Sequence, residues 1–95
     1  MPTQSLDDAI ESLQVRIEER REELSEKLKN VKQQIEKYDG FIATVTAEAG
    51  EAQEPRLKAG WLELLQEWRE TKDLAERTRD QWERELWQLE GIRFD

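Results

Sequence analysis

The sequence predicts an all-α fold: a long antiparallel helical hairpin of coiled-coil type that completes a four-helix bundle by self-association. Three observations carry this expectation. Trp61, Trp68, Ala75, Trp82 and Leu89 stand seven residues apart, the spacing that returns to the same side of a helix at every second turn. A second apolar stripe runs through the first half of the chain in steps of three and four. Between the two stripes lies one clear break, Gly50-Glu51-Ala52-Gln53-Glu54-Pro55. Residues 1–95 are read as a single domain, with a first helix over about 5–49, a turn at 50–54, a second helix over about 55–90 and a tail at 91–95.

The first helix has a legible start. Ser5 is an N-cap, with Asp8 in the capping-box position three residues on. Asp7, Asp8 and Glu11 then place negative charge where the helix dipole favours it. The stripe follows at Leu6, Ile10, Leu13, Ile17, Leu24, Leu28, Val31, Ile35, Tyr38, Ile42, Val45 and Ala49. Between Ile17 and Leu28 the seam is filled by Arg20 or Arg21. Reading Leu13, Ile17, Arg21, Leu24 and Leu28 as the seam inserts four extra residues, a stutter that predicts local unwinding of the supercoil. Gly40 is readable as a helix stop with a left-handed cap. The stripe keeps its phase through it, however, and this favours a continuous helix bent there at most. An interior Gly costs only about 1 kcal/mol.

The second helix starts at Pro55, where a missing N–H does no harm. It ends before Gly91, with Ile92 placed to touch Trp87 in a Schellman ending. A turn centred near residues 51 and 52 sets Trp61 against Ile42, Trp68 against Ile35, Ala75 against Leu28 and Trp82 against Arg21. Arg20, Arg21 and Trp82 then form a polar layer in the seam, with a guanidinium over an indole. By helix rise alone the hairpin is about 65 Å long.

Composition agrees with a two-faced rod. Of 95 residues, 40% are charged and 36% hydrophobic, too polar for a thick core but suited to helices with a wet outer side. Such a structure is marginal without a partner. Val15, Phe41, Leu62, Leu64, Leu74, Trp87 and Phe94 fall off the main seam and constitute the candidate partner interface. Their expected occupant is a second copy of the chain, another protein, or both.

The same inventory narrows the chemistry. A net charge of −8 disfavours direct contact with nucleic acid, which needs Lys and Arg to neutralise phosphate. It also disfavours an anionic membrane surface. No apolar run approaches the about 20 residues of a membrane span. The first residues lack the basic and apolar regions of a signal peptide, and the expected location is cytoplasmic. There is no Cys and no His. Di-iron Glu-x-x-His pairs and Ser–His hydrolase chemistry therefore lack their ligand and their base. The 23 carboxylates read as a solvated surface with i,i+4 pairs such as Glu23–Lys27 and Asp73–Arg77. No catalytic residue, cofactor or metal is assigned. The function expected is a non-enzymatic interaction, scaffold or adaptor module. The alternative is a small acidic inhibitor or regulator that covers a basic surface on a larger protein.

Overall fold

The computed structural model describes residues 5–92. Phe94 lies outside the described residues. The chain forms two helices, α1 (Leu6–Glu51) and α2 (Pro55–Glu90). They pack against each other as an extended hairpin of 77 × 25 × 14 Å. The radius of gyration is 22.0 Å, whereas a compact chain of this length would have about 12 Å.

α1 begins as its sequence indicates. Ser5 is extended (φ −71°, ψ 158°), and its hydroxyl accepts the Asp8 N–H at 3.2 Å. The helix then runs unbroken through Gly40 and on through Gly50. The link is therefore shorter than expected, only Ala52 to Glu54. No left-handed glycine makes it, and among the described residues none has a positive φ. Instead Ala52 turns extended (φ −69°, ψ 123°) while its N–H still donates to the Glu48 carbonyl at 3.0 Å. Glu54 is extended as well (φ −78°, ψ 126°), as the ring of the following Pro55 requires.

The far end of α2 also departs from expectation. Gly91 caps the helix in the right-handed region (φ −76°, ψ −12°), so there is no Schellman ending. The Gly91 N–H donates to Trp87 and the Ile92 N–H to Leu89, each at 3.2 Å. The second of these bonds spans three residues, a tightened last turn that satisfies a terminal carbonyl without a left-handed residue.

The predicted stutter is absent. Burial shows the seam passing through Ile10, Gln14, Ile17, Arg21, Leu24 and Leu28, in steps of four and three. Gln14 is half-buried, while Leu13 is 49% exposed. One heptad phase thus holds along the whole of α1, and two of its core positions are polar. Choosing Leu13 because it is apolar created the apparent insertion.

The seam pairs differently from the expected register. Trp68 lies against Tyr38 and Phe41, with ring centroids 5.5 and 4.8 Å apart. That is about one helical turn closer to the link than Ile35. Trp82 packs with Ala75 and Leu86 on the cluster of Leu28, Val31 and Ile35, and it does not pair with Arg21. Two causes add. The link is centred on Gln53 rather than on residues 51 and 52. Helical side chains also lean toward their own N-terminus, about one position each, which moves antiparallel contacts further in the same direction.

The core is correspondingly thin. Leu24 is fully buried, and Leu28, Val31, Ile35, Val45, Ala49 and Leu65 are nearly so. α1 is 46 residues long and α2 is 36. The first turns of α1 consequently extend past the end of α2, and Leu6 there is 77% exposed.

Candidate interaction surface

The heptad fixes which side chains share a face. In α1 the seam positions are Leu24, Val31, Tyr38 and Val45 (d) with Leu28, Ile35, Ile42 and Ala49 (a). In α2 they are Trp61, Trp68, Ala75, Trp82 and Leu89 (d) with Leu65, Lys72, Arg79 and Leu86 (a). When two such helices run antiparallel, the g rows border one broad face and the e rows the other. Two ion pairs between the helices follow that rule. Arg20 Nε donates to Glu85 Oε1 at 2.9 Å, and Arg20 Nη2 to Glu85 Oε2 at 3.1 Å, joining g to g. Lys32 meets Glu83 at 3.4 Å, joining e to e.

The two broad faces are chemically unlike. On the e side, the e and b rows carry eleven acidic residues against three basic ones. On the g side, the g and c rows carry five against four. The acidic excess of the e side alone equals the −8 of the whole chain, so the other face is close to neutral. Along the middle of that neutral face runs an open groove of about 420 Å³, lined by Lys27, Asn30, Val31, Gln34, Tyr38, Thr71, Leu74, Ala75, Thr78 and Trp82.

The off-seam apolar residues divide between the faces. Phe41 (47% exposed), Leu64 and Leu74 (65% exposed) belong to the groove face. Val15, Leu62 and Trp87 belong to the acidic face, where Trp87 is 74% exposed among Asp80, Glu83 and Arg84. The six described residues among those singled out from the sequence therefore do not form one patch. Leu57, which was not among them, is 52% exposed and lies seven residues before Leu64 on the groove face. Its signal was available: positions 57, 64, 71 and 78 form one g row.

The predicted polar layer is redistributed. Arg20 forms the bidentate pair with Glu85 and also meets Glu23 at 3.1 Å. Arg21 sends its Nη2 to the carbonyls of Leu89 and Ile92, and its buried Nε has no partner among the described residues. The cation over Trp82 is Lys27, whose Nζ stands 5.6 Å from the ring centroid. Two basic seam residues escaped the sequence reading. Lys72 and Arg79 both occupy a positions, seven apart, between Leu65 and Leu86. Lys72 Nζ reaches Asp39 at 2.6 Å and Glu76 at 3.5 Å.

These contacts set the local electrostatics. The Glu85 carboxylate, followed by that of Glu23, holds the Arg20 guanidinium above its ordinary value. Lys27, followed by Arg20, holds the Glu23 carboxyl below its own. Asp39 raises Lys72, and Asp80 raises Arg79. All of these stabilise charged forms at neutral pH, and none makes a proton available for transfer. Among the described residues no three His, Cys, Asp or Glu side chains are grouped to hold a metal ion. No described helix is long and apolar enough to cross a membrane.

Compared with models of known protein families, with curated proteins and with solved structures, the chain matches none.

Proposed function

We propose that the protein is a non-enzymatic interaction module that works through its outer apolar surface, in the manner of a scaffold or adaptor. One observation carries this reading: a near-neutral face with an open groove and exposed Phe41 and Leu74, on a chain whose negative charge is gathered on the opposite side. Water-exposed apolar side chains of this size, aligned along one face, gain from a protein partner that covers them. Completion of a four-helix bundle is the arrangement in which a two-helix hairpin covers such a face with least change. The test is a photo-crosslinking amino acid at position 74, with position 87 on the acidic face as the comparison. A protein adduct from position 74, the chain itself counted among possible adducts, supports the reading. Absence of any protein adduct from position 74 in the native cell removes it.

A second reading has its own support. The e and b rows form an acidic stripe along a rod 77 Å long, which suits a regulator that covers a basic surface on a larger protein. Its signature is binding that weakens steeply between low and physiological salt. Binding indifferent to salt, and lost on Leu74→Glu, would assign the contact to the groove face instead.

A further inference from the structure

We infer that the occupant of the groove face is a second copy of this chain, laid face to face and antiparallel to the first about a two-fold axis near Gln34 and Leu74. This rests on the reading of that face as an interaction surface and specifies its partner.

A chain of net charge −8 repels its own copy, and the repulsion is strongest where the acidic rows meet. Only a face that lacks this excess permits close contact between copies. The groove face meets that condition, and its central rows present Asn30, Gln34, Thr71, Leu74 and Thr78. An isologous contact requires a surface that complements itself, and a row of neutral and apolar side chains does so in either direction.

Size is sufficient. The broad faces measure 77 by 25 Å, so overlap along half the length already exceeds the about 800 Å² per partner typical of stable complexes.

The direction follows from two charges on the g row of α1. A parallel arrangement, with the two-fold along the rod, lays α1 on the partner's α2, so that Lys27 meets the level of Thr78 and Glu48 that of Gly60, neither of which carries a charge. Turning the copy end for end about Gln34 brings Lys27 over the Phe41–Trp68 pair, because position 34 lies midway between 27 and 41. It also brings Glu48 to Arg20, for which position 34 is again the midpoint. The antiparallel arrangement thus gives both charges a partner, a cation–π contact for Lys27 and an ion pair for Glu48.

The chain has no Cys, so single-cysteine variants report contacts without background. Sedimentation equilibrium of the full chain should show a dimer. Leu74→Glu should weaken it at least tenfold, while Trp87→Glu, on the acidic face, leaves it unchanged. Under mild oxidation Gln34→Cys should link two copies and Glu48→Cys should not. A fully helical monomer at 100 µM overturns the inference, as does a dimer that survives Leu74→Glu. Efficient linking through Glu48→Cys overturns the antiparallel arrangement. If the chain is monomeric yet position 74 crosslinks a different protein, the second-copy assignment fails and the interaction reading stands. If position 74 crosslinks nothing, both fail.

Discussion

At the scale of single residues, burial separates side chains that look equivalent in the sequence. Leu24 is 0% exposed and Val15 is 52% exposed. Leu24→Ala is expected to cost about 2–5 kcal/mol. The lower end applies here, because neighbours in a two-layer rod relax easily into the space. Val15→Ala is expected to stay within about 0.5 kcal/mol. Urea denaturation followed by helical circular dichroism, at a concentration where association is negligible, measures both. The cation at Trp82 gives a sharper test of register. A double-mutant cycle between Lys27 and Trp82 should return a coupling of about 0.5–1 kcal/mol, and the cycle between Arg21 and Trp82 should return none. The reverse result would mean that the helices pair one turn away from the arrangement described. The sequence misled at this scale for a definite reason. Leu13 outranks Gln14 in hydropathy, but phase along the helix, not hydropathy, decides which side chain lies on the seam.

At the scale of the helices, two interior glycines contribute nothing that a larger residue would not. A Cβ built on Gly40 or on Gly60 meets no atom within 4 Å, and both sit within regular helix. Gly40→Ala should therefore stabilise the hairpin by about 0.5–1 kcal/mol, through the lost freedom of the unfolded chain. A thermal melt that shifts downward would show that α1 needs flexibility at that point. The link was harder to place than the helices. Gly50 resembles a helix stop, yet the stop is set by the extended conformation that Pro55 imposes on Glu54 and by the turn outward at Ala52. Seam lysine Lys72 joins the helices through Asp39 and gives the hairpin an alkaline limit. Its folded pKa is raised by that carboxylate, so its contribution is complete below the ordinary lysine value of about 10.4. The contribution is lost as pH rises through the higher folded value. The stability gap between wild type and Lys72→Gln should be constant from pH 6 to 9 and close above that range. A gap that instead widens in alkali contradicts the pairing.

At the scale of the molecule, protection should be graded along the rod. The stretch from Leu24 to Ile35 holds most of the buried side chains in contact with α2, whereas no described side chain of α1 before Ile17 is fully buried. Native-state hydrogen exchange should be slowest in the former and approach free-helix rates in the latter. Equal protection at both places would indicate that something covers the overhanging end. Most of the two-helix architecture was legible, because a seven-residue period and one Pro-marked break leave few alternatives. The division into an acidic and a neutral face was not read, although all its letters were present. Which rows border each other depends on the direction of the partner helix and on one phase holding through Gln14 and Arg21. A four-residue error in that phase moves the g row into the seam and the b row out to the f position at one end, and blurs the contrast.

The three-residue link from Ala52 to Glu54 also has a consequence in time. Contacts beside it join residues close in sequence, whereas the Arg20–Glu85 pair joins positions 65 apart. Loop closure favours the near pairs, so the hairpin should zip from the link outward, with its open end formed last. On the ribosome the order is stricter still. All of α1 emerges before α2 begins, and at about 5–20 residues per second its apolar seam waits several seconds for its cover. The dense charge on the rest of α1 then acts before any fold exists, by keeping nascent copies apart during that interval.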